Sequence, residues 1–143
     1  MGGRGARSGL EKDSQGNIIP YGSTYKSVAE LGDNIKIIVG RPESLNKNST
    51  PMESQTPNRI YGVLTPSGKR LKSIVSINQN GKRKVQIDFG GNQSHANIKG
   101  EHKHKGYVHS EHGYGSPKRY TKKERRVIKK IYKYAVNNGI MVT

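Results

Sequence analysis

Thr121-Lys122-Lys123-Glu124-Arg125-Arg126-Val127-Ile128-Lys129-Lys130-Ile131-Tyr132-Lys133-Tyr134-Ala135-Val136-Asn137-Asn138-Gly139 is the stretch from which the fold is read. Thr121 and Glu124 have the spacing of a capping box, in which the threonine oxygen accepts from an orphan backbone N–H and the glutamate reaches back to the cap. Val127, Ile128, Ile131, Tyr132 and Ala135 recur on one face at the helical period, and Gly139 is placed to end the helix. An amphipathic helix to about Asn138 follows. Its apolar face must pack on something, and the strands upstream supply it.

Lys84-Val85-Gln86-Ile87-Asp88-Phe89 alternates polar and apolar residues, so Val85, Ile87 and Phe89 face a core while Lys84, Gln86 and Asp88 share the opposite face. That polar face is where chemistry is sought. Before it, Asn80-Gly81 suits a hairpin turn, and Leu71 to Ile77 reads as a strand with Leu71, Val75 and Ile77 on one side and Lys72 on the other. Arg59 to Thr65 is a further strand, reversed at Pro66-Ser67-Gly68. The expected fold class is α+β: a small antiparallel sheet, a three- to four-stranded meander, packed by one C-terminal amphipathic helix and preceded by a flexible Gly-rich N-terminal arm. Residues 58–143 form this basic domain.

Residues 1–57 are expected to be an extended arm and linker. The stretch to about Gly22 is rich in Gly, Ser and Arg without periodicity, and is assigned no structure. Thr24 to Leu31 is assigned a short helical turn, and residues 34–40 (Asn-Ile-Lys-Ile-Ile-Val-Gly) read as one β-branched strand. Pro42, Pro51 and Pro57 punctuate a polar loop after it. With 143 residues and 30% hydrophobic content, the chain has room for a single core.

Residues 1–57 carry seven Lys or Arg against six Asp or Glu, whereas residues 58–143 carry nineteen against four, so nearly all of the formal charge of +16 lies in the second part. Such a concentration repels itself, and a polyanion relieves that repulsion through phosphate contacts and counterion release. The candidate nucleic-acid-binding residues are Lys118, Arg119, Lys122, Lys123, Arg125, Arg126, Lys129, Lys130 and Lys133, opposed on the helix by Glu124 alone, with Tyr107 and Tyr114 as candidate base-stacking residues. There is no cysteine, and no apolar run reaches the length of a signal core or a membrane span. Neither export by the usual leader nor a membrane partner is expected. No P-loop, dinucleotide glycine fingerprint, nucleophile elbow or H-E-x-x-H helix occurs, so no cofactor is assigned.

All five histidines, His95, His102, His104, His109 and His112, lie in one glycine-rich segment. Three readings stand side by side. In one, His95, His102, His104 and His109, with Asp88 and Lys84 from the preceding strand, act as general base, general acid and charge stabilisers for attack of a ribose 2′-hydroxyl on its phosphate, without metal. In another, His102-x-His104 and His109-x-x-His112 ligate zinc, although the neighbouring lysines oppose a dication, and no metal is assigned. In the third they are solvated loop residues.

The opening Met-Gly-Gly-Arg-Gly, Pro20-Tyr21-Gly22-Ser23-Thr24-Tyr25, Pro51-Met52-Glu53, and the run from Asn80-Gly81-Lys82-Arg83 through Gln86-Ile87-Asp88 to His102-Lys103-His104-Lys105-Gly106-Tyr107-Val108-His109 resemble small proteins encoded among the head genes of tailed phages of Gram-positive bacteria. The resemblance implies a minor head protein found in the virion, and in the host cytoplasm during assembly. It also implies that the basic domain contacts the genome while the N-terminal arm meets other virion proteins. The C-terminal layout is similar to the barnase, EndoU, colicin and RelE group of metal-independent ribonucleases, which implies as the alternative a toxin or phage effector. In that group a helix commonly precedes the sheet, whereas here it follows.

Overall fold

A computed structural model describes residues 5–7, 15–89, 94–95, 98–99, 102–105 and 120–142. The strands are β1 (Ala6–Arg7), β2 (Tyr25–Gly32), β3 (Ile35–Gly40), β4 (Glu53–Ser54), β5 (Ile60–Leu64), β6 (Leu71–Ile77), β7 (Arg83–Asp88), β8 (Ser94–His95), β9 (Ile98–Lys99) and β10 (His102–Lys105), followed by the helix α1 (Lys122–Asn137). The class is α+β. A mostly antiparallel sheet has the order β10-β7-β6-β5-β3-β2, while β1 pairs with β4 and β8 with β9 in separate two-stranded ladders.

The sheet extends beyond the boundary expected at residue 57. β3 lies parallel to β5, with Ile35 opposite Ile60 and Val39 opposite Leu64, so residues 25–40 belong to the same sheet as the C-terminal strands. The short helical turn assigned to Thr24 to Leu31 is instead β2, in which Lys26, Val28 and Glu30 are exposed and alternate with more buried neighbours. Asp33 and Asn34 both adopt positive φ (53° and 63°) between the paired residues Gly32 and Ile35, the geometry of a two-residue hairpin loop. An isolated helical turn would be marginal in water, whereas the ladder to β3 satisfies the backbone of this segment.

Every residue of β3 and of β5 is buried. Two apolar clusters therefore sit on opposite faces of the sheet. On one face Ile35, Ile37, Val39, Ile60, Leu64 and Ile74 meet Ile128 and Ile131 of α1, and each of these two helical isoleucines contributes about 2 kcal/mol by burial. Gly62 permits this approach: a Cβ there would lie 2.7 Å from Ile37 Cδ1 and 3.4 Å from Ile131. Phe89 meets Tyr132 edge-on, with ring centroids 5.6 Å apart. Beyond the helix the chain returns to the sheet, where Leu71 donates its N–H to the Met141 carbonyl at 2.7 Å.

The other face holds Ala6, Tyr25, Ile38, Tyr61, Val63, Val75 and Ile77. Bulges in β6 and β7 redistribute the expected faces. An irregularity beside Leu64 leaves Lys72 unpaired in the β5 ladder, which turns Leu71 to the helix side while Val75 and Ile77 remain on the other.

The cover of this second face comes from pieces of residues 5–54, part of which was expected to be a free arm. Ala6 is fully buried, β1 pairs with β4, and the Ser54 N–H donates to the Gly81 carbonyl at 2.9 Å. Glu53, itself fully buried, holds these pieces together. Its Oε1 accepts from Arg7 Nη2 at 2.8 Å and Nε at 3.2 Å and from the Tyr21 hydroxyl at 2.9 Å, and Lys82 Nζ lies 3.4 Å from Oε2. Arg7 also stacks on the Tyr21 ring, 4.3 Å from its centroid. Tyr61 anchors the same cover, its hydroxyl 2.7 Å from Ser54 Oγ. Glu53→Ala, which strands Arg7 and Lys82 beside a cavity, should cost about 3 kcal/mol. Urea denaturation measures it, and a loss below about 1 kcal/mol, the size of a surface ion pair, would contradict the role given to this carboxylate.

Candidate nucleic-acid interface

The start of the helix is fixed twice. The Glu124 N–H donates to Thr121 Oγ1 at 3.0 Å and Glu124 Oε1 accepts from the Thr121 N–H at 2.9 Å, which completes the capping box. The same Oε1 accepts from Lys103 Nζ at 2.8 Å. Lys103 is buried and its register partner is Ile87, a residue of the helix-side core, so its aliphatic stem passes through apolar surroundings to reach the cap. Burial disfavours the charged form of Glu124, but hydrogen bonds from Lys103 and Thr121 outweigh it and hold the carboxyl below its ordinary range. One carboxylate thus ties the edge strand β10 to the helix.

Lys122, Lys123, Arg125, Arg126, Lys129 and Lys133 are exposed, and none of them is in an ion pair among the described residues. Lys122, Arg126, Lys129 and Lys133 stand at helical intervals of four, three and four, a single row about 16 Å long at 1.5 Å per residue. Lys130 stands apart from them. Its Nζ donates to Asp33 Oδ2 at 2.9 Å, an ion pair with the β2–β3 turn, and Asp33 is held below the ordinary carboxylate range chiefly by that hydrogen bond. Glu124 is therefore not the only acid set against the helix. Lys118, Arg119, Tyr107 and Tyr114 lie outside the described residues.

The residues read as a catalytic set divide in two. The register pairs His102 with Asp88 and His104 with Gln86, so backbone pairing brings two of the histidines to positions beside the polar side of β7. His95 belongs to the separate β8–β9 ladder, and His109 lies outside the described residues. Lys84 does not share the face of Gln86 and Asp88: it falls at the irregularity where Ser76 pairs with Val85 and Ile77 with Arg83, and it lines a cavity with Lys123 of the helix.

The expected open polar surface is partly covered. Arg83 and Gln86 are buried, with Arg83 Nη1 donating to Gln86 Oε1 at 2.7 Å and Gln86 Nε2 donating to Asp88 Oδ1 at 2.8 Å. Thr50 and Ser73 share a hydroxyl hydrogen bond at 3.1 Å, and Lys72 Nζ donates to the Asn48 carbonyl. Burial pushes the Lys72 ammonium below its ordinary value, against the opposing pull of Asp88. This cover has no signature in the sequence, because Asn48 and Thr50 lie in a proline-bounded loop that carries no periodicity.

Among the described residues no group of three or more His, Asp or Glu is placed to hold a metal ion, and no helix is long and apolar enough to cross a membrane. The chain matches no protein-family model, and comparison with curated proteins and with solved structures gives no match.

Thr121→Ala should cost about 1 kcal/mol through the lost cap, and Glu124→Gln more, on the order of 3 kcal/mol, because Lys103 also loses its carboxylate. The second loss depends on pH. A carboxyl with a lowered folded value stabilises above its unfolded range, and that contribution disappears as pH falls through the folded value. The stability gap between the parent and Glu124→Gln should therefore be constant near neutrality and close in acid. Urea melts between about pH 7 and pH 3 test this, and a gap that does not change with pH refutes it.

Proposed function

We propose that this protein binds nucleic acid electrostatically through the exposed cationic face of α1, and that it does so as a minor head component of a tailed phage, in contact with the genome. The observation that carries the binding reading is the row Lys122, Arg126, Lys129 and Lys133, with Arg125 at its flank, on a helix whose opposite face is locked into the core. A helical surface ordinarily mixes signs and gains from i,i+4 pairs. Among the described residues the acids paired with lysines at the helix, Glu124 and Asp33, engage Lys103 and Lys130; Asp33 also feels Arg126, but no residue of the row is held in an ion pair. A row of cations suits a phosphate backbone, and phosphate contacts carry no sequence information, so the reading is of sequence-independent contact. The virion assignment rests on the resemblance of the sequence to head-gene proteins. In this reading the N-terminal arm docks on other virion proteins without Ala6 and Arg7, which are held by β4 and Glu53.

The affinity of the full chain for a labelled oligonucleotide should fall steeply with salt, and Lys129→Ala plus Lys133→Ala should reduce the log–log slope by about two. Lys130→Ala should change it less, because Asp33 already neutralises that ammonium. An affinity insensitive to salt overturns the reading. Absence of the protein from purified particles, measured by mass spectrometry, overturns the virion assignment.

The pairing of His102 with Asp88 and of His104 with Gln86 supports a second reading, a metal-independent ribonuclease acting as a toxin or phage effector. Cleavage of labelled RNA in EDTA that is lost in His102→Ala and His104→Ala supports it; intact RNA at high protein concentration rejects it.

A further inference from the structure

Between β5, β6, β7 and the first turn of α1 lies a cavity of about 380 Å³. Ile60, Ile74, Ile87 and Val127 line it, together with Lys84 and Lys123, both of which are exposed. A second cavity of about 440 Å³ adjoins it, sharing Ile60, Ser76, Lys84 and Lys123 and adding the amides of Asn58, Asn78, Gln79 and Asn80. The pair forms one cleft with an apolar half, a half lined by amide-bearing residues, and two lysines common to both.

We propose that this cleft takes one unpaired nucleotide of a single-stranded nucleic acid, its base in the apolar half and its phosphate on Lys84 and Lys123. The inference rests on the nucleic-acid-binding reading and adds a ligand to it. The chemistry of the lining is that of an amphiphilic anion. Branched aliphatic side chains offer flat, dry contact to a base, as in sites that hold a base removed from its stack, and the volume is within the range of small-ligand pockets. The ammonium groups demand negative charge beside that apolar contact. Lys103, the third lysine in the lining, is engaged by Glu124, so Lys84 and Lys123 are the cations that face the opening.

Continuity with the helix selects a nucleic acid over a free fatty acid or other amphiphile. Lys123 lines the cleft and is the chain neighbour of Lys122, the first residue of the exposed row. A strand tracking that row is thereby led to the cleft at the N-terminal end of the helix. In the β6–β7 turn the Asn78 side-chain oxygen already accepts from the Asn80 and Lys82 N–H groups, so Gln79 and Asn80 are the amides that supply donors and acceptors for the sugar or base edge of the bound unit. A duplex keeps its bases stacked and cannot place one there, so the cleft adds affinity for single strands that the row alone does not.

Adenosine monophosphate titrated into the full chain, labelled at its isoleucine and valine methyl groups, is the test, with binding of a single-stranded and a duplex oligonucleotide measured in parallel. Saturable shifts at Ile60, Ile74, Ile87 and Val127 are expected, while inorganic phosphate alone leaves them in place. Lys84→Ala and Lys123→Ala should each weaken the nucleotide about tenfold, as expected for loss of one charged hydrogen bond, and Lys69→Ala, in the distant β5–β6 turn, should not. Both target lysines are exposed, so the variants test binding without removing core contacts. Oligonucleotide binding that persists while the nucleotide moves none of these methyls, or moves them equally in both lysine variants, overturns the cleft and leaves the helix row standing. Nucleotide binding with no oligonucleotide binding has the opposite meaning: the helix-row reading fails, and with it the claim that the cleft serves a strand.

Discussion

A central pair of parallel strands with every side chain buried places one demand on this molecule: both faces of the sheet must be covered. β3 and β5 cannot meet that demand with a single helix, because α1 occupies one face only. The second cover is assembled from short pieces, β1, β4 and the segments beside them, which form no long element of their own. They stay in place because polar groups anchor them, above all the buried carboxylate of Glu53 between Arg7, Tyr21 and Lys82.

The charge distribution follows from the same economy of acids. A chain with ten Asp or Glu against twenty-six Lys or Arg has few carboxylates to place. Glu53 is committed inside and the half-buried Glu124 at the helix cap, where they offset basic groups drawn into the fold, and Asp33 meets Lys130 at the turn. The cations on the outer face of α1 are left without equivalent neighbours among the described residues. Self-repulsion there is a cost that the folded core has to carry in the absence of a polyanion, and salt screens both that repulsion and the attraction to a polyanion.

Edge strand β10 links the two candidate chemistries. Lys103 points into the helix-side packing and engages the cap, while its neighbours His102 and His104 occupy the register positions of Asp88 and Gln86. Alternation along a strand is enough to separate these roles by one residue. The contact at the start of α1 is thus made by a residue of the histidine-bearing strand, whose register is set by its backbone pairing with β7.

Local pattern determined the helix, its capping box, its apolar face, the hairpins through residue 89 and the exposure of most of its cations, because each depends on residues within a few positions of one another. The role of Val85, Ile87 and Phe89 was legible for the same reason. Tertiary structure alone decided the rest. Strand β2 needed its ladder to β3 to prevail over a helical turn; the parallel pairing of β3 with β5 spans a loop with no periodicity; and the bulges that turn Leu71 and Lys84 away from their expected faces arise from pairing between strands. The ion pairs of Glu53 with Arg7 and of Lys130 with Asp33 join residues 46 and 97 positions apart. Charge attraction across such separations leaves no trace in local composition, and it acts only after the core has brought the partners within reach.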